Sequence, residues 1–128
     1  MKQPIDSPEL PKAVGPYSAA IRMDNLLFTA GQLGIDPVTN HFAGETIQEQ
    51  TRQALTNLSA IITAAGFAFA EIVKTTVYLA DINEFQQMNE IYAGFFTAPY
   101  PARSAFQVAA LPRGAKVEIE AIAVKSLG

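Results

Sequence analysis

The stretch from Thr46 to Gly66 leaves this chain the least freedom. Thr46 and Glu49 form a Thr-x-x-Glu capping box, which satisfies orphan amides at a helix start. Ile47, Ala54, Leu58, Ile61, Ile62 and Ala65 then recur at helical spacing, so one stripe of the helix must be covered. Gly66 suits the stop, because glycine enters the left-handed region without a steric clash. A helix with a single apolar stripe needs a layer to lie on, and the rest of the chain supplies it as strands.

Ile72 to Ala80 reads as a strand, in which Val73, Thr75, Val77 and Leu79 alternate with Ile72, Lys74, Thr76 and Tyr78; β-branched residues dominate it. Asp81 is an N-cap candidate with Glu84 three residues on, opening a second helix whose stripe is Phe85, Met88, Tyr92 and Phe95. Pro99 and Pro101 end it. Ahead of the first helix, the apolar runs Ala19–Met23 and Leu26–Leu33 flank Asp24-Asn25, a pair that tolerates positive φ and so predicts a hairpin. Asp36-Pro37 and Asn40 mark a loop ending at Gly44, and Pro4 to Pro16 reads as irregular. Two final runs, Arg103–Leu111 and Lys116–Val124, are joined by the turn signal Pro112-Arg113-Gly114.

The order is β-β-α-β-α-β-β, an α+β layer of two helices on one sheet. Two helices cover one face only. In the last strand Val117, Ile119, Ala121 and Ala123 point one way, and Lys116, Glu118, Glu120, Ile122 and Val124 the other. The second set mixes aliphatics with carboxylates, so the uncovered face is expected to pack against another subunit and leave polar pockets between protomers. Hydrophobic residues at 49% against 16% charged agree with an extra buried surface. The length fits one domain over residues 1–128.

Most chemistries are excluded by composition. The chain has no cysteine and one histidine, so disulfides, thiol nucleophiles and Cys/His metal sites are ruled out. His41 sits in a turn beside Thr39 and Asn40 and reads as a surface residue rather than a triad base. The glycines follow no nucleotide-binding spacing. A net charge of −3 disfavours a broad surface for nucleic acid or anionic lipid. The N-terminus has no apolar leader, and polar residues interrupt the uncharged stretch Gln53–Ala70 too often for a membrane span. A cytoplasmic location is the expectation.

What remains lies in Gly15-Pro16-Tyr17-Ser18, Thr29-Ala30-Gly31-Gln32, Val73-Lys74-Thr75-Thr76-Val77, Asp81-Ile82-Asn83-Glu84-Phe85, Pro101-Ala102-Arg103-Ser104 and Val117-Glu118-Ile119-Glu120-Ala121. With these six stretches in order, the chain resembles the RidA/YjgF family of enamine/imine deaminases over nearly its whole length. The resemblance implies a chorismate-mutase-like subunit, with two helices on one face of a mixed sheet, and a homotrimer whose clefts lie between neighbours. It also implies cofactor-independent hydrolysis of 2-aminoacrylate, 2-iminopropanoate and 2-iminobutanoate to 2-oxo acids and ammonia.

Arg103 is the first candidate, because a guanidinium grips a substrate carboxylate through two parallel charge-assisted bonds. Its bland reading is an ion pair with Glu118 or Glu120, which the residues alone favour and the resemblance reverses. By resemblance Glu118 orients the attacking water, for which a desolvated carboxylate is suited; otherwise it is an edge or interface charge. Glu120 reads as structural. Tyr17 is either a pocket residue that donates to substrate, as the resemblance implies, or a core aromatic. Gly31 either brings a bare backbone amide to the ligand or marks a bulge in the second strand. Asn89 matches a pocket-lining position and is otherwise a helix-surface residue. Lys74 matches a lysine near the family cleft and is given an electrostatic role.

Two positions depart from the family pattern. Ala105 stands where many bacterial members have cysteine, which excludes thiol-dependent control, and Ala30 stands where some have serine, which removes a hydroxyl beside the pocket. Two further functions compete with the deaminase: a non-catalytic binder of 2-oxo or 2-imino acids, and an RNA-cleaving translation inhibitor. The second wants a basic groove with stacking aromatics, which the charge balance opposes.

Overall fold

A computed structural model describes residues 1–10 and 12–126. Its sheet contains β1 (Gln3–Ile5), β2 (Ala20–Met23), β3 (Leu26–Thr29), β4 (Gln32–Leu33), β5 (Ile72–Leu79), β6 (Ala102–Gln107) and β7 (Val117–Val124). The strand order is β1-β2-β3-β7-β5-β6, with β4 also paired to β7. All pairings are antiparallel except β5 with β6. The parallel pair is the one joined through a helix, as a parallel connection requires. Two helices, α1 (Ile47–Ala64) and α2 (Phe85–Ala93), complete an α+β layer.

The first helix forms as its sequence predicts. The Thr46 hydroxyl accepts from the Glu49 amide at 3.1 Å, and the Glu49 carboxylate accepts from the Thr46 amide at 3.3 Å. At the other end the Gly66 amide donates to Thr63 and the Phe67 amide to Ile62, both at 3.0 Å, with Gly66 at φ 81°. That pair of bonds is a Schellman closure. The sequence did not signal what else satisfies this terminus: Arg22 donates to the Ala65 carbonyl at 3.0 Å, and Lys125 donates to that of Gly66. Both cations lie over the Phe67 ring and complement the negative end of the helix.

The core lies between the helices and one sheet face. Leu55, Leu58, Ile61 and Ile62 of α1 are fully buried against Val77, Leu79, Val117 and Ile119. Each such side chain contributes about 1.5–3 kcal/mol by leaving water. The two faces of β7 separate as the alternation predicts. Val117, Ile119, Ala121 and Ala123 are buried, while Glu118, Glu120, Ile122 and Val124 are half-buried on the face without helices.

Four expectations are corrected. The segment read as irregular begins with a strand, β1, whose Gln3, Pro4 and Ile5 pair with Arg22, Ile21 and Ala20; Pro4 is tolerated because β1 is an edge. The second apolar run is two strands. Phe28 faces Ile122 and Gln32 faces Ile119, so four steps on one side oppose three on the other. A bulge at Ala30-Gly31 absorbs the extra residue. In β5 the strict alternation fails at a second irregularity between Ile72 and Lys74, so Ile72 is buried and Val73 exposed. Asp81 caps a 3-10 turn at Ile82–Glu84 that leads into α2, and α2 ends at Ala93, ahead of the prolines.

Candidate active site

Arg103 lies on the edge strand β6 opposite Thr75 of β5. Thr75 is buried and shares a 2.7 Å hydrogen bond with the hydroxyl of Tyr92 on α2. This register turns Arg103 toward the helices. Its Nη1 donates to Asn89 Oδ1 at 2.7 Å, and its guanidinium stands 4.6 Å from the Tyr92 ring centroid and 5.4 Å from that of Phe85. The ion pairs among the described residues join Lys116 to Glu84 and Lys125 to Glu71. Arg103 therefore has an amide and two aromatic faces but no carboxylate, which leaves its charge for a ligand. An ion pair with Glu118 or Glu120 is excluded, since both point to the opposite face of the sheet. Asn89 orients the guanidinium and is half-buried rather than free on the helix surface.

Glu118 stands on the open face, with Tyr78 opposite it on β5 and Leu33 opposite it on β4. Burial pushes its carboxyl above the ordinary 4.5, and the Glu120 charge adds to the rise. Gly31 explains how the carboxylate fits. A Cβ at that position would lie 2.5 Å from Glu118 Oε2 and 2.7 Å from its Cγ. The structure shows the bulge reading of Gly31: the bulge carries a bare backbone against the Glu118 carboxylate. Thr29 completes it by accepting the Ala121 amide at 3.0 Å.

Tyr17 precedes β2 in a loop tied to the bulge by the Ala30 amide, which donates to the Ala19 carbonyl at 2.8 Å. Gly15 has φ 133°, a conformation only glycine adopts readily, and the Tyr17 ring folds back to within 3.6 Å of where its Cβ would be. The ring is 53% exposed, so it is not a core aromatic. It borders a cavity of about 750 Å³ with Pro4, Ile5, Leu10 and Lys12, which neither Arg103 nor Glu118 lines.

Lys74 lies on the open face, where its Nζ donates to the Ser104 hydroxyl at 2.9 Å. It therefore shares a face with Glu118 and not with Arg103. The residues sort into two groups within one chain. Arg103 and Asn89 stand against α2, while Tyr17, Gly31, Glu118 and Lys74 belong to the bulge and the open face. Sequence reasoning missed Tyr78, Tyr92 and Ser104. Only the cross-strand register, which an unaligned sequence does not display, brings them to the site. Among the described residues no group of acidic or histidine side chains could hold a metal ion.

The fold and the site define a small α+β protein whose guanidinium and carboxylate are held ready on opposite faces of one sheet. The chain belongs to the family described as Endoribonuclease L-PSP, which matches residues 7–125. It is 52% identical over 122 residues to RutC family protein y4sK of Sinorhizobium fredii, covering 95% of this chain and 97% of that one. It is 48% identical over 121 residues to the 2-iminobutanoate/2-iminopropanoate deaminase of Bos taurus, covering 94% of this chain and 88% of the relative. Among solved structures, E. coli TdcF with bound serine superposes with a TM-score of 0.93 at 42% identity, covering 97% of this chain and 99% of that one.

Proposed function

We propose that the chain is a cofactor-independent deaminase of reactive 2-imino acids, acting as a cytoplasmic homotrimer with a cleft at each subunit boundary. The observation that carries this reading is the Arg103 guanidinium, fixed by Asn89 over Tyr92 with no carboxylate partner among the described residues. A 2-imino acid offers the missing carboxylate, and each shielded charge-assisted bond to it contributes on the order of 1.5–3 kcal/mol. The names of close relatives as 2-iminobutanoate/2-iminopropanoate deaminases support the substrate class.

Arg103 and Glu118 cannot face one ligand within a single protomer. A second copy laid on the open sheet face supplies the missing half, so that Arg103 and Asn89 of one protomer meet Tyr17, Gly31 and Glu118 of the next. The exposed apolar groups on that face, Met23, Phe28 and Phe106, favour such a contact. Among the described residues no helix is long and apolar enough to cross a membrane, in keeping with the proposed location.

In the cleft Arg103 anchors the carboxylate, the Gly31 backbone approaches it closely, and Tyr17 donates to the substrate. Lys74 adds positive potential. Enamines such as 2-aminoacrylate first take a proton on carbon and become imines. Glu118 then takes a proton from water as its oxygen bonds to the C=N carbon and the nitrogen is protonated. Glu118 then returns its proton to the nitrogen, the carbinolamine hydroxyl gives its own proton to solvent as C=O forms, and the C–N bond breaks to release ammonia and the 2-oxo acid. RNA cleavage, which the family description names, is opposed by the net charge of −3.

The test generates a 2-imino acid in place from serine or threonine with a dehydratase and follows ammonia and 2-oxo acid. The parent protein accelerates release, Arg103→Ala abolishes the acceleration, and Glu118→Ala abolishes it too while a 2-oxo acid still binds. Parental activity in Arg103→Ala refutes the assignment. Binding without acceleration by the parent identifies a non-catalytic sensor instead.

A further inference from the structure

We propose that Asn57 is a positioning residue for the deamination: from inside α1 it holds β4 in the one register that sets the Gly31 backbone against Glu118. The inference rests on the reading of Glu118 as the base that activates water.

The need for such a clamp follows from the strand's own residues. β4 has two of them, with Gln32 opposite Ile119 and Leu33 opposite Glu118. Continued straight from β3, where Phe28 faces Ile122, the ladder would instead put Gly31 opposite Ile119, Gln32 opposite Glu118 and Leu33 opposite Val117. A slip of one residue exchanges the face of every side chain. The straight register would send Leu33 into the core beside the buried Val117 and Gln32 out to the open face, as apolar and polar patterning prefers. The protein does the reverse. Gln32 is buried on the helix side, and Leu33 is half-buried on the open side. Local patterning thus opposes the register that the site requires, and two residues of ladder are too few to overrule it.

Asn57 supplies what the ladder lacks. The residue is 2% exposed, and its Nδ2 donates to the Leu33 carbonyl at 3.1 Å and to the Ile35 carbonyl at 2.8 Å. Gln53 Nε2 donates to Asn57 Oδ1 at 2.8 Å, which fixes the amide with both N–H groups aimed at the chain beyond the bulge. A slip of one residue moves the two carbonyls by about 3.3 Å along the strand and forfeits both bonds. Carbonyls left buried without donors oppose that slip. Gly34, between the two bonded residues, lets the backbone press on the helix, since a Cβ there would lie 2.5 Å from the Gln50 carbonyl oxygen. The clamp lies between α1 and the sheet of one protomer. It is therefore complete in each copy and independent of the second copy whose Arg103 meets Glu118 on the open face.

The consequence falls on the chemical step more than on binding. With β4 released, the Gly31 backbone leaves Glu118, and the carboxylate loses the wall that aims it at the attacking water. Arg103 and Asn89 stand on β6 and α2 and keep their hold on the substrate carboxylate.

The experiment measures kcat and KM with in-place imine generation for Asn57→Ala, Gln53→Ala, Ile62→Val and the double variant Asn57→Ala/Gln32→Leu. Amide hydrogen exchange over residues 29–36 supplies a readout without turnover. Asn57→Ala lowers kcat by about 10–100-fold with KM within about threefold of the parent, and exchange at β4 accelerates. Ile62→Val trims the buried face of the same helix and leaves kcat and β4 exchange at parental values. Gln32→Leu removes the apolar incentive to slip, so the double variant recovers most of the lost kcat; a residue that only supports the fold is not rescued in this way. If Asn57→Ala does not fold, Gln53→Ala decides, through a fall in kcat of about threefold at unchanged KM. Parental kcat in the deciding variant, an equal loss in Ile62→Val, or no recovery in the double variant overturns the inference. Parental kcat in Glu118→Gln overturns the base and this inference with it. An inactive Glu118→Gln beside parental kcat in Asn57→Ala overturns the clamp alone.

Discussion

Gly31→Ala separates the chemistry of the site from the stability of the fold. The added Cβ would lie 2.5 Å from Glu118 Oε2, 2.6 Å from Cδ and 2.7 Å from Cγ, where ordinary contact begins at 3.4 Å. The carboxyl group must retreat by roughly 0.9 Å, as a displacement along the closest contact. The clash falls on a side chain rather than on backbone, so the fold loses only the rotamer strain, on the order of 0.5–1.5 kcal/mol. Catalysis is less tolerant, since a misplacement of about 1 Å costs on the order of 100-fold. Steady-state ammonia release with a urea denaturation curve measures both quantities on one preparation. The expected outcome is a large fall in kcat at nearly parental stability. Gly34→Ala is the contrast. Its Cβ would meet the α1 backbone, 2.5 Å from the Gln50 carbonyl oxygen and 2.6 Å from its Cα. Helix backbone does not swing aside, so this variant is destabilised by about 1–3 kcal/mol. A Gly31→Ala protein with kcat within about twofold of the parent refutes the reasoning, because the carboxylate would then need no exact place.

Asn89→Ala removes the 2.7 Å bond that orients Arg103; KM rises about tenfold with a smaller change in kcat, measured by initial rates. Tyr92→Phe leaves the buried Thr75 hydroxyl without its 2.7 Å partner, and the urea midpoint falls by the equivalent of about 1–3 kcal/mol at unchanged slope. Glu118 has a raised folded pKa, so the folded chain binds its proton more tightly than the unfolded chain. Its contribution is fully present below 4.5 and is lost as pH rises through the folded value. Glu118→Gln is accordingly inactive yet gains stability relative to the parent between acid and neutral pH, read from thermal melts at pH 4 and pH 7.

Periodicity and caps were enough to show where the first helix lies and which face of β7 is covered. The α1 stripe and the two faces of Val117–Val124 follow from side-chain geometry that a single sequence displays. The bulges at Ala30-Gly31 and near Val73 were not legible, because an extra residue changes the register without changing the composition. For the same reason β1 was missed: three residues containing a proline carry no alternation. Tyr17, Arg103 and Glu118 stand in the motifs Gly15-Pro16-Tyr17, Pro101-Ala102-Arg103-Ser104 and Val117-Glu118-Ile119-Glu120, whereas Gly31, Lys74 and Asn89 were named through the family resemblance. Their division between two faces was hidden, since it depends on pairing Arg103 with Thr75 and Glu118 with Tyr78 across the ladder. Tyr92 read as an apolar stripe residue, although its hydroxyl and ring together fix Thr75 and Arg103.

The central claim is that one functional site takes its guanidinium and its carboxylate from two different copies of the chain. Co-expression of Arg103→Ala with Glu118→Ala, each inactive alone, tests it directly. Every boundary in a mixed assembly that joins an intact Arg103 to an intact Glu118 regains function, so imine hydrolysis returns to about a quarter of the parental rate under random mixing. If the mixed assemblies are as inactive as the separate variants, the site does not lie between subunits and the account fails.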